Sequence, residues 1–258
     1  MQLMIPCIFK NKFFPVAVSF SLPKKRESAK NVLVISPHPD DDVIGMGGQM
    51  KLLSDAGFNV YAVYLTGGPS RGIGRNPVAE VRQQEALAAL KVVGAKAGIF
   101  LGHQSRNLEK NRVVNDIQAV VDWFLPKSIY VPSVLERHSS HLRGTAQTVR
   151  AVRRIRGYGP DLWGYSVWSP CFSGKPFRTI DISAVIRTKK KAIEKHKSQL
   201  AVKDYASGII GRNRYEGIFL KTHGRKYFAY GETFVNMTDL ARNRRLRLKG
   251  FTRRISGF

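Results

Sequence analysis

The sequence predicts an α/β protein, a mostly parallel sheet with helices on both faces. Three observations carry this. Short apolar runs rich in β-branched residues recur along the chain. Longer segments with apolar residues at helical spacing alternate with them, and glycine or proline closes most of those segments. A strand buried on both faces reads as a continuous apolar run, and regular alternation of such runs with helices is the pattern of βαβ units.

The elements follow in order. VLVIS (32–36) reads as the first strand, and residues 44–55 as a helix that Gly57 can end. NVYAVYL (59–65) is the second strand, followed by the glycine-rich loop TGGPSRGIGRN (66–76) and a helix over 78–93 with Gly94 as its stop. GIFLG (98–102) is the third strand. RVVNDIQAVVDWFL (112–125) is an amphipathic helix ended by Pro126. SIYVP (128–132) is the fourth strand, and residues 141–156 form the next helix. DLWGYSVWS (161–169) reads as a strand. DISAVIRTKKKAIEKHKSQ (181–199) reads as one helix with Asp181 or Ser183 near its start.

At 258 residues the chain has room for one sizeable core. We divide it into an N-terminal extension (1–30), a folded domain (31–236) and a basic C-terminal tail (237–258). Two cysteines, Cys7 and Cys171, far apart in sequence, make neither a disulfide framework nor a cysteine zinc cluster, and fit a reducing, cytoplasmic compartment. FFPVAVSFSL (13–22) is too short to span a bilayer and contains Pro15. The formal charge of +25 points to anionic surroundings. Its densest stretch is ARNRRLRLKGFTRRISGF, with seven basic residues and no acid. Few aromatic residues interleave there, so nucleic acid is disfavoured as a partner. Peripheral contact with an anionic membrane, at its inner face, is the expectation for this tail.

Against that charge, SPHPDDDVIGMGGQM (36–50) gathers three carboxylates beside an imidazole. It directly follows the first strand, and PSVLERHSSH directly follows the fourth. In an open parallel sheet both stretches emerge at the carboxyl edge, where ligands bind. His38, Asp40, Asp41, His138 and His141 are therefore expected within reach of one another. Two imidazoles and a carboxylate form a ligand set zinc accepts, and three protein ligands leave a position open for chemistry. An Asp beside a helix start is by itself an ordinary cap, but three adjacent carboxylates repel and favour a cation.

HPDDDVIGMGG resembles the HPDDE signature of the PIG-L/LmbE family of zinc-dependent N-deacetylases, a Rossmann-like fold. RQQEALAALKVVG (82–94), FLG (100–102), HSSH (138–141), KKKAIEKHKSQL (189–200) and GETF (231–234) resemble further family segments, in the right order over residues 31–236. The resemblance implies that His38, Asp41 and His141 hold zinc and that Asp40 is the general base. It implies that His138 stabilises the tetrahedral intermediate and helps protonate the amine, and that Arg82 contacts substrate. The implied substrate is an N-acetylglucosaminyl conjugate or polysaccharide precursor. Two positions depart from the pattern. Asp42 replaces a Glu. Ser140 replaces the Asp before the last His, which leaves His138 without that charge unless Glu136 supplies it.

Two functional readings follow: a zinc N-deacetylase, and a polyanion-binding protein on the same scaffold, motivated by the charge and by Ser140. The retained His38, Asp40, Asp41, His138 and His141 favour the first. Trp123, Trp163 and Trp168 read as core residues. The glycines of GMGG (45–48) read as close helix–sheet packing, and His196 as a packed side chain. His103 follows the third strand and could line a pocket; His223 has no readable role.

Overall fold

The computed structural model describes residues 28–67, 77–169, 177–220 and 227–243. Most of the 66–76 loop, His223, both cysteines and the far ends of the chain lie outside them. Five parallel strands come first: β1 (Asn31–Ser36), β2 (Asn59–Thr66), β3 (Ala97–His103), β4 (Ser128–Pro132) and β5 (Asp161–Tyr165). Two more, β6 (Phe177–Asp181) and β7 (Gly231–Asn236), complete a seven-stranded sheet in the order β3-β2-β1-β4-β5-β7-β6. β7 runs antiparallel to both β5 and β6.

The helices are α1 (Asp41–Asp55), α2 (Pro77–Val93), α3 (Asn111–Phe124), α4 (Ser139–Arg154), α5 (Ile186–Ile193), α6 (Lys197–Leu200), α7 (Tyr205–Phe219) and α8 (Thr238–Arg242). Strand alternation divides the core into two layers. Leu33 and Ile35 of β1 pack with α3, α4 and α8 on one face. Val32 and Val34 pack with α1, α2, α5 and α7 on the other. The expected α/β class with helices on both faces is therefore the observed one. Gly57 and Gly94 sit at φ +78 and +76 after their helices, where a side chain would be strained.

Three expectations are corrected. The stretch 181–199 is not one helix. Asp181 ends β6, where Asp181 pairs with Gly231, and its Oδ1 accepts from the Ser183 backbone N–H; a 3-10 turn, α5 and α6 follow. The strand read over 161–169 stops at Tyr165. Packing also continues beyond residue 236, because Met237 and Ala241 are buried and α8 lies against α4. α7 occupies a stretch to which the sequence assigned no element.

α1 is broken at Met46 (φ −146). Glu232 of β7 caps the second half, its two oxygens accepting from the Gly48 and Gln49 N–H groups at 2.9 and 2.7 Å. A Cβ on Gly45 would sit 2.2 Å from the Tyr165 ring, and one on Gly48 would sit 2.7 Å from Ile182. These glycines serve close packing, as expected.

Candidate metal centre

The sheet changes direction of progression between β1 and β4, which are neighbours. Such a switch point leaves a crevice outside the carboxyl ends of the strands. The loop after β1 enters it with His38 and turns into α1, with Asp40 at the cap position and Asp41 and Asp42 in the first turn. Backbone N–H groups of Asp40 and Asp41 close this turn on the His38 carbonyl. The loop after β4 enters from the other side, with His138 at the cap of α4 and Ser140 and His141 in its first turn. Gly144 lets the two approach: a Cβ there would lie 3.1 Å from Pro37.

The sequence-expected residues converge. Donor atoms of His38, Asp41 and His141 all lie within 4.8 Å of one another. Asp41 Oδ2 accepts from the His38 backbone N–H at 2.9 Å and stands 3.1 Å from His38 Nδ1. Asp41 Oδ1 is 3.3 Å from His141 Nε2. That nitrogen is buried without a hydrogen-bond partner, while Nδ1 of the same ring sits 3.1 Å from Glu136 Oε2. A free inward nitrogen backed by a carboxylate on the other is how histidine is presented to a metal ion. The donor set fits a divalent cation of the zinc type. The His138 ring lies 4.6 Å from the His141 ring and 5.5 Å from the His38 ring.

Beside the cluster, Arg82 Nη2 donates to Asp40 Oδ1 at 3.0 Å. Asp42 turns away from the cavity and accepts from the Tyr64 hydroxyl at 2.7 Å. Glu136 reaches His138 only through its charge, a minor upward push on a ring that burial and the neighbouring imidazoles lower. Its Oε1 accepts from the backbone N–H groups of Val167, Trp168 and Ser169 at 2.7, 3.1 and 3.0 Å, and Oε2 faces His141.

Burial raises Asp40 to about 8, with Asp41 adding to the rise and Arg82 opposing it. Burial also lifts Asp42 to about 6 against the Tyr64 hydrogen bond. At Asp41 burial acts upward too, but the His141 and His38 rings hold the carboxyl well below its usual range. His141 is pushed up to about 10: burial opposes the rise, and Asp41 and Glu136 outweigh it. His138 is lowered, by burial and then by the charges of His141 and His38.

A cavity of about 470 Å³ opens over the cluster. His38, Asp40, Asp41, Arg82, His138 and Ser140 form its floor, and its walls carry Gln104, Ser105, Arg106, Trp168 and Gln199. The wall residues escaped the sequence reading. Gln104–Arg106 directly follow β3, so the strand-end rule that located the histidines also points to them. His103 itself turns to Asp116, 3.0 Å away. Trp168 is not a core residue: it is 43% exposed at the cavity. Trp123 and Trp163 are partly buried against the two core layers. His196 is buried, as expected, and stands outside the metal cluster.

Residues 33–152 match the model of the PIG-L family, described as GlcNAc-PI de-N-acetylase. A probable N-acetyl-α-D-glucosaminyl L-malate deacetylase of Bacillus cereus is 30% identical over 186 residues, covering 66% of this chain and 84% of the relative. Among solved structures, an N,N'-diacetylchitobiose deacetylase of Pyrococcus horikoshii superposes with a TM-score of 0.68 at 25% identity, over 86% of this chain and 88% of its own. A 4-carboxy-2-hydroxymuconate hydratase of Pseudomonas putida shares the fold at a TM-score of 0.63 and 21% identity, over 80% of this chain and 95% of its own.

Proposed function

Because the chain belongs to the PIG-L family, we propose that it is a zinc-dependent hydrolase that removes the N-acetyl group from an N-acetylglucosaminyl conjugate. The observation that carries the reading is the His38–Asp41–His141 cluster at the floor of a cavity that also holds Asp40 and His138. The named deacetylases among its relatives supply the substrate class. The hydratase neighbour is a reminder that the fold by itself does not choose the reaction.

His38, Asp41 and His141 would hold the ion. When bound, zinc supplies a Lewis acid that polarises the amide carbonyl and makes water acidic near neutral pH. Asp40 takes the proton of the attacking water as the new C–O bond forms. Arg82 fixes the carboxylate through its bond to Oδ1 and borders the cavity, where the substrate passes it. His138, lowered and therefore largely neutral at pH 7, keeps one N–H to donate to the oxygen on the tetrahedral carbon. As the C–N bond breaks, the proton held by Asp40 passes to the amine nitrogen; the second proton of the water stays on the new carboxyl group until it is lost to the amine or to solvent, so the products leave as acetate and an ammonium. No transfer step needs Ser140, which borders the cavity as a neutral side chain.

The test is acetate release from a panel of N-acetylhexosamine conjugates by zinc-loaded protein. Turnover of at least one is expected; none, with zinc bound, sinks the reading. Peripheral contact with anionic membrane through the basic segment from Arg242 onward belongs to the same proposal, supported by seven basic residues without an acid. Among the described residues no helix is long and apolar enough to cross a membrane. Salt-sensitive binding to phosphatidylserine vesicles, absent from phosphatidylcholine vesicles, is the expected outcome.

A further inference from the structure

Trp168 is the large apolar side chain that the cavity leaves half in solvent. It is not loosely held. Backbone N–H groups of Val167, Trp168 and Ser169 all donate to Glu136 Oε1, and Arg212 donates to the Val167 carbonyl. The indole makes an edge-to-face contact with Tyr205, ring centres 5.5 Å apart and planes at 83°. Tyr205 is itself buried at the start of α7. An exposed tryptophan held by three partners gains nothing for the core by its exposed part. A rigid aromatic face beside a polar cavity suits a ligand that is apolar on one side and polar on the other.

Glu136 also fixes where that face stands. The carboxylate that receives the three N–H groups places its other oxygen against His141, so the platform and the metal cluster share one anchor. The rest of the wall is polar: Gln104 Oε1 accepts from Arg106 Nε and Asn107 Nδ2, both at 3.0 Å. A saturated ring with C–H groups on one face and hydroxyls around its rim matches an aromatic face set among polar side chains. An extended acyl amine does not.

We propose that Trp168 is the specificity-determining residue of this site: it stacks on the apolar face of a pyranose ring and holds the ring's acetamido group over the metal cluster. The proposal rests on the deacetylase reading and deepens it. The selected class is a cyclic N-acetylhexosaminide whose stacking face carries no bulky substituent. Acyclic N-acetyl amines would meet the same catalytic floor without the platform.

The experiment compares Trp168→Ala and Trp168→Phe with the parent protein, all zinc-loaded. Substrates are an N-acetylglucosaminide and N-acetylethanolamine, and zinc content is measured alongside. For the sugar, Trp168→Ala is expected to raise KM roughly ten- to hundredfold with kcat within a few-fold and zinc unchanged, and Trp168→Phe to recover most of the loss. kcat/KM for the acyclic amide is expected to be equal in parent and Ala variant. A fluorescence titration with glucosamine should show saturable quenching in the parent and none in Trp168→Phe. An unchanged KM in Trp168→Ala, an equal loss for both substrates, or a loss of kcat together with zinc would overturn the assignment. If the parent hydrolyses no hexosaminide, the deacetylase reading fails and the titration decides alone: quenching lost in Trp168→Phe sustains the platform, and absence of quenching in the parent removes it.

Discussion

Among the described residues two clusters of charge are buried, and their balance differs. In the first, the carboxylates of Asp40, Asp41, Asp42 and Glu136 face a single guanidinium, Arg82, and the imidazoles between them. In the second, Glu216 and Glu232 face Arg212 and Lys189. Lys189 Nζ donates to Glu232 Oε1 at 2.7 Å, and Arg212 Nε stands 3.4 Å from Glu216 Oε1. The balanced cluster ties β7 and α7 to the broken helix α1: Glu232 caps its second half, and Arg212 donates to the Ile44 carbonyl in its first. The unbalanced cluster opens on a cavity and leaves His141 Nε2 buried beside Asp41 Oδ1 without a well-formed hydrogen bond. Burial pushes Asp40 to about 8 and Asp42 to about 6, and the charge of Asp41 adds to both rises. A divalent cation relieves such crowding. Imbalance coincides with the proposed place of chemistry, and balance with the tie between β7, α7 and α1.

The largest effect that sharpens this contrast is at Asp41. Asp41→Ala is expected to lose the metal and all activity above background, because one of the three proposed ligands goes. Asp40→Ala is expected to keep the metal and lower kcat by roughly 10²- to 10⁴-fold. Metal analysis beside kinetics checks both; the reverse pattern would exchange the two roles. In the balanced cluster, Lys189→Ala strands Glu232 and is expected to cost about 3–5 kcal/mol in urea unfolding. Metal per folded molecule should not change. If metal binding fell along with stability, the two clusters would not be separable. Glu136→Gln keeps the shape but removes the charge behind His141. A metal affinity weaker by about 10- to 100-fold, read by competition with a chelator, is expected.

The first cluster was legible in the sequence and the second was not, for a physical reason. Asp40–Asp42 and HSSH each lie directly after an apolar run, so local pattern locates both and the parallel sheet brings them together. Lys189 meets Glu232 only because β7 returns antiparallel between β5 and β6, a pairing across more than forty residues that no local period encodes. The same return pairing takes Asp181 into β6, where the apolar spacing of 181–199 suggests a helix start. α7 hides behind Gly208, Gly211 and Gly217, poor helix formers. Gly217 is needed because a Cβ there would sit 2.8 Å from the Tyr230 backbone. Glu136 stood in plain view two residues before His138, yet its partners include the 167–169 backbone, so its support of His141 is tertiary information.

His196 gives the smallest test, and it separates buried neutrality from buried charge. The ring is buried beside both clusters' supporting elements, neither nitrogen has a hydrogen-bond partner, and burial followed by the Arg82 charge lowers it to about 3. The unfolded chain takes up this proton below about pH 6.5, whereas the folded chain does not until about pH 3. Between those limits the unfolded state binds more protons, so stability falls as pH falls, by up to about 1.4 kcal/mol per pH unit from this group. His196→Gln deletes that contribution. The drop in unfolding free energy between pH 7 and pH 5 should therefore be about 2 kcal/mol smaller in the variant than in the parent. Urea unfolding of both proteins at the two pH values measures the difference, and contributions common to both, those of Asp40 and Asp42 included, cancel in the comparison. Equal drops would mean that His196 is charged in the folded protein and has found a partner, which would move it from the packed core into the unbalanced cluster.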